Sequence, residues 1–356
     1  MPRLILIYNP NSTNYQRVKR EILDKKCELF RDYDLSTEYT IKKIGFENNV
    51  KNLSEILKDG DLCLALGGDA TAAITANAIL QSSKDVTLSV LPYGNFNDLA
   101  RTLGTMKRGD LDVHLRTCAT TGARRAPSPV TTGAKARAAN GSSKSLLYPL
   151  AIYADGPAGR APREGINAIK SLYPLAIYVD GVFWRYATCY VTIGMTAEAV
   201  ELFDNPKFRN YMKKGHKSSW RSYLELARWY FKNRKKKVFL PEFTINKKPT
   251  NKGASDYAAV NGRSMCRVMK GGEDFKRPQI FRSANIKTVS FPKLFGLMVR
   301  AILVRTPGRD TKGDVLEFKN PATVELQAEG EYQIFKDIQK IEVKKGEKCL
   351  KVITKN

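Results

Sequence analysis

Two segments of this chain carry residues suited to chemistry on an anion. One reads Leu62-Cys63-Leu64-Ala65-Leu66-Gly67-Gly68-Asp69-Ala70-Thr71, the other Val90-Leu91-Pro92-Tyr93-Gly94-Asn95-Phe96-Asn97-Asp98-Leu99-Ala100-Arg101. In each, an apolar run with strand character ends in a glycine-containing turn, and a helix-like pattern follows. Such turns gather backbone N–H groups and helix N-termini where they can hold phosphate. Glycine lets the backbone approach an anion closely because it has no Cβ. Asp69 is suited to orient a phosphate-bound metal or to act on a reacting hydroxyl; an aspartate capping its own helix is the plain alternative. Asn97 and Asp98 can likewise cap the helix that starts there or position a ligand.

The elements that must position these residues alternate between strand and helix. Strands are predicted over 4–8, 37–41, 61–66 and 86–91. Helices are predicted over 14–30, 49–57, 71–80 and 96–103, from apolar residues such as Val18, Ile22 and Leu29, or Leu53, Ile56 and Leu57, at helical spacing. The alternation predicts a doubly wound, Rossmann-like parallel sheet with right-handed crossovers. Ligands on such sheets lie beyond the carboxyl ends of the strands, where both glycine turns fall.

From about residue 172 strand-like runs dominate: 175–179, 183–193, 238–245, 257–260, 288–291, 323–327 and 340–343, with Asp180-Gly181 as a hairpin signal. Between the two patterns, residues 115–165 are rich in Ala, Arg, Gly, Thr and Pro. Ser145-Leu146-Leu147-Tyr148-Pro149-Leu150-Ala151-Ile152-Tyr153 nearly repeats Ser171-Leu172-Tyr173-Pro174-Leu175-Ala176-Ile177-Tyr178. This reads as an irregular insertion with a duplicated strand, the second copy occupying the sheet. The expected division is an α/β nucleotide-binding domain over 1–114, the insertion over 115–165, and an all-β acceptor domain over 166–356 whose C-terminal end may return to the first domain.

Composition narrows the function classes. The 356 residues suffice for two domains with real cores. The formal net charge of +25 favours anionic partners without choosing among headgroups, nucleotides and nucleic acid. No apolar run reaches the ~20 residues that span a bilayer. Residues 1–10 read as a buried strand rather than a signal peptide, so a cytoplasmic location is expected. Cys27, Cys63, Cys118, Cys189, Cys266 and Cys349 show no C-x-x-C spacing, which argues against a zinc or redox motif. His114 and His216 lie apart from other chemistry, which argues against a histidine triad. Residues 220–237 combine apolar residues at helical spacing with the basic end Arg234-Lys235-Lys236-Lys237; an anionic membrane surface and packing on the second domain both suit them.

The paired glycine motifs resemble those of the diacylglycerol kinase catalytic-domain family, which includes bacterial lipid kinases and sphingosine kinases and has NAD kinases as distant relatives. The family reads Gly-Gly-Asp-Gly-Thr, then Pro-x-Gly-Thr-x-Asn-Asp-x-Ala-Arg. Gly67, Gly68, Asp69 and Thr71 match the first motif; Pro92, Gly94, Asn97, Asp98, Ala100 and Arg101 match the second. Asn9-Pro10 matches an opening Asn-Pro, and Glu329-Gly330-Glu331 stands where the family has Asp-Gly-Glu. Ala70 stands for the last glycine of the first motif, Asn95 for a nucleotide-contacting threonine, Phe96 for a small residue and Glu329 for an aspartate. Ser283-Ala284-Asn285-Ile286-Lys287 replaces a segment that helps hold a structural metal in some bacterial members.

The resemblance implies a β-sandwich second domain and an interdomain cleft. It implies Glu331 as general base, with Asp69 beside it, and nucleotide contacts from Asn9, Thr13, Thr40, Gly67, Gly68, Asp69, Thr71, Gly94, Asn95, Asn97 and Asp98. For Glu331 a surface glutamate in a charged turn is the alternative, and for Thr40 an ordinary strand threonine. The implied protein is an ATP-dependent lipid kinase-like phosphotransferase using Mg²⁺, with Asp69 the one residue that could meet the metal, through the nucleotide. Its expected partners are a lipid such as diacylglycerol, an anionic membrane touched peripherally, and a second copy in a homodimer; specific nucleic acid is not expected. An inactive nucleotide- or lipid-binding homologue and a kinase of another small alcohol, NAD kinase-like, are the alternatives.

Overall fold

A computed structural model describes residues 3–12, 14–94, 97–105, 167–198, 240–250, 254–265, 269–271, 279–287 and 303–355, with a few isolated positions between them. The first part alternates as expected: β1 (Leu4–Tyr8), α1 (Tyr15–Glu21), α2 (Lys26–Leu29), β2 (Glu38–Thr40), α3 (Phe46–Ile56), β3 (Leu62–Gly67), α4 (Asp69–Ser82), β4 (Thr87–Pro92) and α5 (Asp98–Leu103). The single helix expected over 14–30 is broken at Ile22 by a short 3-10 turn. The break seats both Ile22 and Phe30 in one core cluster.

The remaining strands are β5 (Asn167–Leu172), β6 (Leu175–Val179), β7 (Val182–Ala187), β8 (Tyr190–Gly194), β9 (Phe243–Ile245), β10 (Lys248–Pro249), β11 (Ala254–Val260), β12 (Ser264–Met265), β13 (Met269–Lys270), β14 (Phe281–Lys287), β15 (Arg309–Thr311), β16 (Gly313–Ala328), β17 (Glu331–Lys345) and β18 (Leu350–Lys355).

The first sheet runs β2-β1-β3-β4-β18-β5. Its strands are apolar on both faces because helices cover both. Ile5, Ile7, Cys63 and Ala65 point into a core under α3, α4 and α5. Leu4, Leu6, Leu62, Leu64 and Leu66 alternate into a second core with Val18 and Ile22. The C-terminal strand β18 pairs in parallel with β4, and β5 closes against it antiparallel. Residues 167–172, expected with the second unit, thus belong to the first sheet.

The second unit is one ten-stranded antiparallel sheet around its own core. The register of β16 against β17 shifts between Glu317 and Val324. Across that break β16 changes partner, from β9 to β8. The expected strand over 183–193 is two strands in different places, β7 at the sheet's edge and β8 inside it. The chain turns at Thr188-Cys189 because the Cys189 carbonyl accepts from the N–H groups of Asn261 and Gly262. The Asp180-Gly181 hairpin joins β6 to β7, so the second repeat copy forms a strand. The first copy lies outside the described residues, as do 288–291 and all of 220–237 except Arg228, Trp229 and Lys232.

The units meet along β7. Asn77, fully buried in α4, donates to the Tyr186 carbonyl at 2.9 Å and accepts from the Tyr186 N–H at 2.9 Å. Its amide acts as a strand partner for an edge that would otherwise be open. Among the described residues no helix is long and apolar enough to cross a membrane.

Ile353 in β18 is fully buried. Ile353→Ala is expected to cost about 3 kcal/mol by leaving a cavity, read from urea unfolding; a cost below about 1 kcal/mol would mean that β18 contributes little to the first sheet.

Candidate functional site

The site begins where two backbones touch. Gly67 ends β3 and pairs with Pro92 at the end of β4, and the Tyr93 N–H donates to the Gly67 carbonyl at 3.0 Å. Beyond them, a Cβ on Gly94 would lie 2.2 Å from the Gly68 Cα. Only glycine allows this approach. Asn97, at φ 56° and ψ 46°, closes the second turn: its Oδ1 accepts from the Gly94 N–H at 2.8 Å and its Nδ2 donates to the Gly94 carbonyl at 2.8 Å. Thr71 is buried in the first turn of α4, and its Oγ1 would be 2.3 Å from a Cβ on Gly67.

Asp69 joins the two turns. Its Oδ2 accepts from the Asn97 N–H at 2.9 Å and its Oδ1 from the Asp98 N–H at 2.6 Å. The carboxylate therefore caps α5 rather than its own helix, satisfying donors that a helix start leaves open. Burial and the neighbouring Asp98 push its proton affinity up, and the N–H bonds oppose them. Asp98 in turn accepts from the Ser264 hydroxyl at 2.8 Å, which ties α5 to β12.

The other expected contacts share this edge. Asn9 follows β1; its Oδ1 accepts from the Asn11 N–H at 2.9 Å. Asn14 then donates to the Tyr93 carbonyl at 2.7 Å, fastening the Asn-Pro loop to the second glycine turn. Thr40 ends β2 opposite Tyr8. Asn9, Thr40, Gly67, Gly68, Asp69, Gly94, Asn97 and Asp98 thus lie along the carboxyl ends of one sheet, with Thr71 just behind. Thr13 and Asn95 lie outside the described residues.

The second unit reaches this edge through the turn between β16 and β17. Glu329, at φ 54°, is buried there. Its Oε1 accepts from the Thr188 hydroxyl and the Cys189 N–H. Burial pushes its carboxyl up to about 7, and the charge of Asp69 adds to the rise. The turn is tied to α5 through Cys189, whose N–H holds Glu329 and whose Sγ lies 3.8 Å from the Thr102 Oγ1. Glu331 opens β17 opposite Ala328 and is half-buried. Sequence reasoning missed Asn14, Thr188 and Ser264. Only Asn14 carried a signal, its place just after Asn-Pro; Thr188, in the turn between β7 and β8, and Ser264, in β12, are distant in sequence from the glycine motifs.

Residues 3–128 match the family model described as the diacylglycerol kinase catalytic domain. This stretch belongs to that family. Among curated relatives, "Diacylglycerol kinase" of Staphylococcus aureus (strain MRSA252) is 32% identical over 101 residues, 28% of this chain and 31% of the relative. That of Bacillus subtilis (strain 168) is 32% identical over 106 residues, 29% of this chain and 34% of the relative. The aligned stretch therefore spans about a third of the curated relatives. A crystal structure described as a diacylglycerol kinase from Bacillus anthracis str. Sterne covers 99% of this chain and 97% of its own with a TM-score of 0.55 at 12% identity. That likeness extends the fold of the family, an α/β sheet followed by an antiparallel all-β unit, across the chain.

Glu329 makes a pH dependence testable. The fold raises its carboxyl from 4.5 to about 7, so the folded protein keeps a proton that the unfolded chain releases. Stability then falls as pH rises through that window and levels off above it; Asp256, raised from 3.8 to about 7 by burial, acts in the same direction. Glu329→Gln retains an acceptor for Thr188 and Cys189 and removes the ionisation. Urea unfolding is expected to show the variant gaining on the order of 2 kcal/mol over the parent at pH 7.5 and nothing near pH 4. Parallel pH profiles for the two proteins would mean that Glu329 ionises as freely in the fold as outside it.

Proposed function

We propose that this protein is an ATP-dependent, lipid kinase-like phosphotransferase that moves the γ-phosphoryl group of ATP to the hydroxyl of a lipid such as diacylglycerol. The observation that carries the reading is the join between the units at Cys189: its N–H holds Glu329 and its Sγ lies 3.8 Å from the Thr102 Oγ1 of α5, the helix that Asp69 caps, which supports a site shared by the Glu329-Gly330-Glu331 turn and the paired glycine turns. Phosphates would lie against the backbone of Gly67, Gly68 and Gly94, where close approach is sterically open. Glu331 would take the proton of the acceptor hydroxyl as that oxygen bonds to the γ-phosphorus and the bond to the β-phosphate bridging oxygen breaks, releasing ADP.

Asp69 engages both carboxylate oxygens with backbone N–H groups. Among the described residues no cluster of three His, Cys, Asp or Glu side chains is arranged to hold a metal. Mg²⁺ is therefore read as arriving on the phosphates of ATP, as part of the substrate. Asp69 acts by fixing the two turns against each other. Cytoplasmic location with peripheral contact to anionic membrane follows from the reading and from the basic end of 220–237, which lies outside the described residues.

The second reading is an inactive homologue that binds nucleotide or lipid. What favours it is that the Gly94 N–H is bonded by Asn97 and that Ala70 stands for a glycine. Incubation with labelled ATP, Mg²⁺ and a total lipid extract separates the two: a new phosphorylated lipid supports the kinase, whereas bound ATP without turnover supports the homologue.

In an active protein, Glu331→Gln should lower the rate by about 10²–10⁴ while ATP binding holds, since only the base is lost. Gly68→Val should instead weaken ATP binding, because a branched side chain there meets the Gly94 backbone and forces the two turns apart. Steady-state phosphorylation with a parallel nucleotide titration reads both, and parental turnover in Glu331→Gln would remove Glu331 from the mechanism.

A further inference from the structure

The turn between β16 and β17 consists of two residues, Glu329 and Gly330, since Ala328 pairs with Glu331. Both have positive φ, 54° and 90°, as a type I′ turn requires. Glycine adopts such angles freely, and the first position of the turn favours Asn, Asp or Gly. Glutamate has no such preference, so contacts from outside the turn must hold Glu329 in place. A turn of this kind also leaves the N–H groups of its two central residues outside the ladder that joins the strands.

Gln327, buried near the end of β16, takes up both of those groups. Set with its oxygen toward the turn, its amide accepts from the Gly330 N–H at 2.6 Å and from the Glu329 N–H at 3.2 Å, while its nitrogen donates to Thr192 Oγ1 at 2.7 Å. The reverse setting would aim the amide hydrogens at the two N–H groups. Thr192 is fully buried in β8 and is the sheet partner of Gln327. The Glu329 side chain is anchored separately, on the Thr188 hydroxyl and the Cys189 N–H just before the same strand. The turn is thus held by its backbone through Gln327 and by a side chain through Glu329, and both holds lead to β8. Glu331 follows directly, as the first residue of β17.

From this arrangement we infer that Gln327 is a positioning residue for Glu331: by holding the N–H groups of Glu329 and Gly330 against β8, its amide fixes the direction in which β17 starts and with it the place of the Glu331 carboxylate. The inference rests on the reading of Glu331 as base and adds to it the group that sets its place. Strand pairing fixes the register of Glu331, but the orientation of the two peptide planes before it depends on bonds to those planes, and hydrogen bonds are directional. Displacing a reacting group by about 1 Å can cost about 10² in rate, so loss of the lock falls on the chemical step. The phosphates of ATP are assigned to the glycine turns of the first unit, so nucleotide affinity does not draw on Gln327.

Gln327→Met tests the inference, because methionine keeps nearly the same shape and accepts from neither N–H. Amide hydrogen exchange at Gly330 should become about tenfold faster or more. In the phosphorylation assay kcat should fall about tenfold or more while the ATP KM stays within about twofold. Parental kcat in a cooperatively folded Gln327→Met protein overturns the inference, and so does a loss that falls equally on kcat and the ATP KM. Should that variant not fold, the partner of Gln327 serves instead. Thr192→Val removes the hydroxyl that orients the amide and should lower kcat about threefold or more, whereas Thr192→Ser keeps the hydroxyl and should stay within about twofold of the parent. A Thr192→Val protein with parental kcat, or a Thr192→Ser protein impaired as much as Thr192→Val, overturns the inference as well. The exchange measurement needs no turnover. A parent that phosphorylates nothing therefore fails the kinase reading alone, and unchanged exchange at Gly330 in Gln327→Met overturns the lock whether or not the parent is active.

Discussion

The Asp69 carboxylate, held between the N–H groups of Asn97 and Asp98, is the contact on which the rest of the site depends. It belongs to the start of one helix and caps the start of the next. Its reach is short, so the two strand–turn–helix units must come close, and the bare backbones of Gly68 and Gly94 make that approach sterically open. The result is an edge where two helix N-termini and two turns converge, with the Asn-Pro loop fastened to it by Asn14. Converging N-termini concentrate positive partial charge, and that field favours an anion with several oxygens.

The second unit is held to this edge by polar contacts of high geometric demand. Asn77 pairs both its amide groups with Tyr186. The chain then turns at Thr188-Cys189, whose hydroxyl and N–H receive Glu329. One continuous path thus runs from the middle of α4 through β7 to the β16–β17 turn. A displacement of β7 would move the turn, because each link is a directional hydrogen bond rather than a sliding apolar contact. The closure gathers acids at one place, and burial with like charge drives Asp69 and Glu329 toward the neutral form.

The substitutions that separate this chain from the family pattern are absorbed in different ways. Glu329, one methylene longer than the aspartate it replaces, reaches back to Thr188 and Cys189 and is buried. The segment 283–287 forms part of β14, paired along its length with β11 and, at Ser283, also with β15. Ala70 lies in the first turn of α4, a position that a helix accepts readily.

By itself the sequence determined the parallel sheet, the glycine turns at its carboxyl edge and the all-β character of the second part. These follow from local causes: apolar periodicity, glycine at turns, and strand runs bounded by hairpin signals. It also carried the family motifs that place Asp69 and Glu331 among the candidates. The tertiary structure alone decided which helix Asp69 caps, that residues 183–193 divide into strands in different parts of a sheet, that β5 joins the first sheet, and that Thr188 and Ser264 stand at the site. Each of these depends on contacts between residues far apart in the chain: Asp98 with Ser264, Thr188 with Glu329, β5 with β18. Local propensity has no term for such pairs, because their energy exists only once both strands or helices are packed and water has been excluded from between them.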